Sequence, residues 1–137
     1  MELLAKPTIL VVDDEMEVLR LVEAVLTRDG FNVVLAKGAD IAIAAFGKMA
    51  QKPALVLSDV VMPGMSGPML VDRLVAIQPG TPVLFMSGYD ERHVVQRYVV
   101  ERGFALIPKP FTAAQLTAAV HAVVEGQAPA TVTGAGQ

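Results

Sequence analysis

Five polar residues carry most of the chemistry open to this chain, and each comes at the end of a short apolar run. Asp13 and Asp14 follow Ile9 to Val12, Asp59 follows Ala54 to Leu57 after one serine, and Ser87 follows Val83 to Met86. Lys109, flanked by Pro108 and Pro110, follows Phe104 to Ile107. Clustered carboxylates repel and raise one another's pKa unless a cation joins them. A hard divalent ion with oxygen ligands answers that need, and Mg²⁺ suits an incomplete protein cage that keeps waters and a position for a phosphoryl oxygen. Lys109 as a point charge and Ser87 as a hydrogen-bond donor could hold the other phosphoryl oxygens. A nucleophile, a metal and charge clamps are what phosphoryl transfer onto a carboxylate requires. Taken singly, each residue also has an ordinary role. Asp13 or Asp14 could cap a helix, with Glu17 completing a capping-box-like pattern. Asp59 and Ser87 could be turn formers, and Lys109 a solvated charge. His93, beside Glu91 and Arg92, reads as surface, and His121 as a plain helix residue.

The elements that must position these groups alternate along the chain. The first apolar run leads to Val18, Leu19, Val22, Val25 and Leu26 on one helical face, stopped by Gly30. Phe31 to Ala36 reads as a second strand. Ile41, Ala45 and Met49 form the next helical face in an alanine-rich stretch. The third strand follows Pro53, and a turn-rich segment from Met62 to Pro68 leads into Leu70, Leu74 and Ile77. The fourth strand precedes a helix carrying Val94, Val95, Tyr98 and Val99. The fifth precedes a helix carrying Leu116, Val120, Val123 and Val124. Five βα units with continuous apolar strands argue a parallel sheet covered on both faces. A closed eight-unit barrel needs about twice the length. The expectation is an α/β, doubly wound, five-stranded parallel sheet with five helices. In such a sheet the functional crevice lies at the carboxyl ends of the strands, where all five polar residues fall.

Composition bounds the rest. A chain of 137 residues, 53% hydrophobic and 18% charged, is one globular domain and not a disordered one. The absence of cysteine removes disulfides, thiol catalysis and cysteine zinc sites. A net charge of −3 lacks the basic footprint of direct nucleic-acid binding. No apolar run is long enough to insert in a membrane, and none resembles a signal-peptide core. The expected location is cytoplasmic. Residues 1–7 read as a lead-in, 8–125 as the domain, and 126–137 as a flexible tail or linker stub.

Four stretches together resemble one family. They are Ile9-Leu-Val-Val-Asp13-Asp14-Glu15, Ser58-Asp59-Val-Val-Met62-Pro63-Gly-Met-Ser-Gly67, Phe85-Met86-Ser87-Gly88-Tyr89 and Pro108-Lys109-Pro110-Phe111. From about Thr8 to Glu125 the chain resembles the receiver domains of two-component response regulators, and its wording is similar to receivers at the C-terminal end of hybrid histidine kinases. The resemblance implies a flavodoxin-like fold with strand order 2-1-3-4-5. It implies Asp59 as phosphoacceptor, with Asp13, Asp14, Asp59 and the backbone carbonyl of Val61 holding Mg²⁺, for which Mn²⁺ can substitute. It further implies Ser87 as the switch hydroxyl, Lys109 as partner of the phosphoryl group, and a cis Lys109–Pro110 bond. The donor would be a histidine kinase or phosphotransfer domain, and the domain a monomer or weak homodimer. It would be a signalling switch with self-catalysed phosphoryl transfer and hydrolysis, not a metabolic enzyme, with no DNA-binding module in this chain. One position departs: where the family carries Tyr or Phe three residues before the lysine, this chain has Leu106.

Three rival readings compete at the level of sequence. An aspartate-nucleophile phosphatase would show Asp-x-Asp after its first strand, and a flavin-binding protein would need a hydroxyl- and glycine-rich loop where Asp13-Asp14-Glu15-Met16-Glu17 stands. The third is a receiver-fold interaction module that is never phosphorylated.

Overall fold

The computed structural model describes residues 6–88, 99 and 101–126. In chain order these form β1 (Thr8–Val12), α1 (Met16–Arg28), β2 (Asn32–Ala36), α2 (Ala39–Lys48), β3 (Leu55–Asp59), α3 (Gly67–Ile77), β4 (Val83–Ser87), β5 (Ala105–Pro108) and α4 (Ala113–Val124). All neighbouring strands pair in parallel, in the order β2-β1-β3-β4-β5. This is the expected open sheet. The expected helices number five; four stand among the described residues, because His93, Val94, Val95 and Tyr98 lie outside them. Val99 is described, helical and fully buried. The tail beyond Gly126 also lies outside the described residues.

Strand residues alternate between the two faces of a sheet, and here both faces are apolar. Leu10, Val12, Val56, Phe85 and Leu106 pack with Ala42 and Phe46 of α2 and Leu70 and Leu74 of α3. Ile9, Val11, Leu55, Leu57, Leu84, Met86 and Ile107 pack with Leu19, Val22 and Leu26 of α1 and Leu116 and Val120 of α4. Burial on both sides is why the strands read as continuous apolar runs.

Two helical faces differ from expectation. On α2 the buried residues are Ala39, Ala42 and Phe46, while Ile41 is 52% exposed and Met49 lies beyond the last helical turn. A ring buries more apolar surface than any other side chain in this stretch, so Phe46 sets the rotation of the helix. On α3, Val71 joins Leu70 and Leu74 inside, and Ile77, in the last turn, is exposed.

His121 also does more than hold a place in a helix. Its Nε2 lies 2.6 Å from Asp29 Oδ2 at the end of α1, and its Nδ1 lies 3.3 Å from Glu125. Its ring packs on Phe31, with centroids 5.3 Å apart. The hydrogen bond to Asp29, opposed by slight burial and aided by Glu125, raises the imidazole pKa above its ordinary 6.5. A raised folded-state pKa means the added stability is full below the unfolded value and fades as pH climbs through the folded one. In Asp29→Asn, the His121 pKa followed by NMR is expected to fall toward its ordinary value. The melting-temperature gap between the variant and the native protein should narrow as pH rises. An unchanged His121 titration would contradict the pairing.

Candidate functional site

The carboxyl ends of β1, β3, β4 and β5 lie side by side; Asp13, Asp14, Asp59 and Lys109 meet there, and Ser87 ends the neighbouring strand β4. β3 and β4 each run further than the apolar residues alone suggest, so Asp59 and Ser87 are the last residues of their strands. Register places Asp59 beside Met86 and Ser87 beside Pro108. Asp13 sits just past β1, where its N–H donates to the Ala36 carbonyl.

Asp13 is fully buried. Its Oδ1 accepts the N–H of Glu15 at 2.8 Å, and its Oδ2 accepts from Lys109 Nζ at 3.0 Å. The capping-box expectation for Asp14 and Glu17 is not met: Glu15 occupies the cap position of α1, with no side-chain cap hydrogen bond. Asp13 instead ties the helix entrance to the site. Asp59, 6% exposed, accepts the Val60 N–H on Oδ1 at 3.0 Å, and the same oxygen lies 3.3 Å from Lys109 Nζ. Asp14 is half-buried and borders an open groove of about 370 Å³, shared with Lys37, Asp40, Ile41, Pro63 and Met65. One oxygen from each of Asp13, Asp14 and Asp59 can be chosen so that all three lie within 4.8 Å of one another. An all-oxygen donor set of this size and charge fits a hard divalent cation.

Lys109 is therefore not a solvated charge. Burial pulls its ammonium pKa down, but the Asp59 charge, then the hydrogen bond and charge of Asp13, outweigh that and hold it above the ordinary lysine value. The Lys109 N–H donates to the Ser87 carbonyl at 2.8 Å, and the Lys109–Pro110 bond is cis. Ser87 is 1% exposed, with its Oγ donating to the Gly88 carbonyl at 3.3 Å. Just beyond, Thr112 and Gln115 form a reciprocal capping box at the start of α4, which anchors the segment carrying Lys109. The Thr-x-x-Gln spacing is a readable helix-start signal. Two neighbours of the site have structural roles that their spacing does not signal: Ser58, whose buried Oγ donates to the Asp59 carbonyl at 2.9 Å, and Gly67, pressed against the same peptide.

Comparison with known proteins places the chain in a family. The family model of the response regulator receiver domain matches residues 9–121. The sensor kinase CckA of Brucella abortus (strain 2308) is 32% identical over 92% of this chain, a match covering 13% of that protein. The C4-dicarboxylate transport transcriptional regulatory protein DctD of Rhizobium meliloti (strain 1021) is 29% identical over 82% of this chain and 24% of that protein. This chain thus spans only a minor part of either relative. Among solved structures, the receiver domain of NtrX from Brucella abortus matches with a TM-score of 0.78 and 33% identity, covering 85% of this chain and 98% of that one. A response regulator receiver domain protein from Clostridium thermocellum matches with a TM-score of 0.79 and 26% identity, covering 88% and 96%. A matched family model over most of the chain, the sheet order and the relatives agree: the chain belongs to the response regulator receiver domains of two-component signalling.

Proposed function

We propose that Asp59 accepts a phosphoryl group from a phosphohistidine on a histidine kinase or phosphotransfer domain. The observation that carries this reading is the meeting of Asp13, Asp14 and Asp59 around one small space, with Lys109 bound to two of them. An Asp59 carboxylate oxygen forms the new P–O bond as the P–N bond breaks, and the electron pair returns to the imidazole. Asp13, Asp14, Asp59 and the Val61 backbone carbonyl would hold Mg²⁺, with Mn²⁺ as a substitute; the ion supplies charge neutralisation for the phosphoryl oxygens. Lys109, bound to Asp59 on the same rim, pairs with the phosphoryl group, and the Ser87 hydroxyl donates to another of its oxygens. The transfer and later hydrolysis are self-catalysed. Likeness to a sensor kinase supports residues 8–125 as the receiver of a hybrid kinase, and a phosphohistidine donor of that kind would place it in the cytoplasm.

The test is phosphorylation by acetyl phosphate with and without the metal. With Mg²⁺ the intact mass should gain one phosphoryl group; in EDTA it should not. Asp14→Ala should weaken Mg²⁺ binding and slow phosphorylation while the fold persists, since this half-buried carboxylate faces like charges that repel it. Equal rates in EDTA and Mg²⁺ would dispose of the metal's role. An unphosphorylated interaction module would gain no mass under either condition.

Leu106 sets the form of the output. It is 3% exposed, pairs in register with Phe85 and shares a core cluster with Val99. In usual receivers a ring at this place fills the space vacated by the switch hydroxyl. Leucine has no polar tip to exchange between solvent and interior, and a switch is biased only by the difference in interaction between two states. Amide mapping with beryllofluoride should therefore show the largest shifts at Met62–Gly67 and Ser87–Asp90, with a muted response at Val95–Val99 and Leu106. Leu106→Tyr should strengthen the distal response. The reverse distribution in the native protein would count against this.

A further inference from the structure

Between Asp59 and Val60 lies one peptide unit whose two ends do different work. Its N–H end, on Val60, donates to Asp59 Oδ1 and to the Met86 carbonyl, each at 3.0 Å. Its carbonyl end, on Asp59, accepts the Ser58 hydroxyl at 2.9 Å. Gly67 covers that same carbonyl, so closely that a Cβ there would fall on it and would come within 3.1 Å of the Val60 Cα. The Gly67 N–H holds the next carbonyl, Val60, at 2.8 Å. A peptide unit is planar, so fixing its carbonyl end fixes the direction of its N–H.

Ser58 is fully buried, and its register neighbours are Val12 and Phe85. A hydroxyl in such surroundings needs a partner, and the one it has is the carbonyl belonging to the proposed acceptor residue. We infer that Ser58 is a positioning residue for phosphoryl transfer: through the Asp59–Val60 peptide it sets the orientation of the Asp59 carboxylate. Without the hydroxyl the carbonyl end loses this hydrogen bond, and the Gly67 contact and the Val60 N–H bond to Met86 fix the tilt of the peptide less sharply. The Val60 N–H then drifts from Oδ1, and the carboxylate loses its alignment toward the incoming phosphorus. The inference rests on Asp59 being the acceptor.

Threonine and valine are isosteric, so Ser58→Thr and Ser58→Val differ in the hydroxyl alone; Ser58→Ala controls for crowding by the added methyl. Two readouts apply: the initial rate of acetyl phosphate labelling in saturating Mg²⁺, and hydrogen exchange of the Val60 amide. Small misalignments of reacting groups cost large factors in rate, so Ser58→Val and Ser58→Ala should be slower than Ser58→Thr by about fivefold to tenfold. Their Val60 amides should exchange faster, with melting temperatures close to that of Ser58→Thr. If Ser58→Val and Ser58→Ala match Ser58→Thr in both rate and exchange, the inference is wrong. If the native protein takes no phosphate at Asp59, the acceptor reading fails, and the exchange data alone decide whether Ser58 holds the peptide. Should the added methyl slow Ser58→Thr as well, the comparison of Ser58→Ala with the native protein decides, equal rates and exchange again overturning the inference.

Discussion

Asp59→Asn is expected to bring phosphorylation by acetyl phosphate down to the background of uncatalysed labelling. The amide keeps the shape of the side chain and can still accept the Val60 N–H that now reaches Asp59 Oδ1 at 3.0 Å. It removes the anionic oxygen, and a neutral amide is a poor nucleophile toward phosphorus. It also removes one of the two charges beside Lys109 Nζ, leaving Asp13 at 3.0 Å as the remaining ion pair. The ammonium stays charged and paired, so the variant should fold normally. Loss of activity with the circular dichroism spectrum retained is the anticipated outcome. Removal of a group that acts directly in the transfer typically costs two to four orders of magnitude or more in rate, about 3–5 kcal/mol or above. Labelling of Asp59→Asn at the native rate would remove Asp59 from the mechanism.

The second large effect is structural and falls on Gly67. A methyl group there would land on the Asp59 carbonyl oxygen, which is backbone and cannot rotate aside. The whole start of α3 must then lift off β3, stretching the Gly67 N–H to Val60 carbonyl bond now at 2.8 Å. Forced overpacking of this kind costs about 1–3 kcal/mol, and the lost hydrogen bond adds about 1 kcal/mol. Gly67→Ala should therefore lower the denaturant midpoint markedly and slow phosphorylation as well, since the displaced loop carries Val61. Gly47 is the counterpart. It lies within α2, exposed, with open space where a Cβ would go. Gly47→Ala should raise stability by roughly 0.5–1 kcal/mol, because alanine restricts the unfolded chain and favours helix. Opposite signs at two helical glycines would establish that the backbone contact, not the residue type, decides. Equal and small effects would mean that α3 yields at no cost.

The parallel sheet was legible because its strands are apolar on both faces, and the site because open parallel sheets gather function at their carboxyl ends. Lys109 and Asp13 are 96 residues apart in sequence, yet that rule alone brought them to one rim. Other features had no local signal. The rotation of α2 was hidden by its alanines, which give little contrast between faces until Phe46 is seen to point inward. Asp59 and Ser87 look like loop residues beyond their strands because they are polar, whereas the ladder continues through them. Asp29, which bonds His121 Nε2, is 92 residues distant, at a helix end whose direction only the fold determines. Ser58 bonds to backbone, and a hydroxyl's choice of carbonyl leaves no trace in spacing.

Chemical trapping can locate the phosphoryl group residue by residue. An aspartyl phosphate is an acyl phosphate, which borohydride reduces to the alcohol, leaving homoserine where the aspartate stood. The native protein, labelled with acetyl phosphate in Mg²⁺, reduced, digested and sequenced by mass spectrometry, should carry homoserine at position 59 and nowhere else. Homoserine at position 13 or 14, or phosphate that survives reduction as an ester on Ser87, would contradict the assignment of Asp59 as the phosphoacceptor.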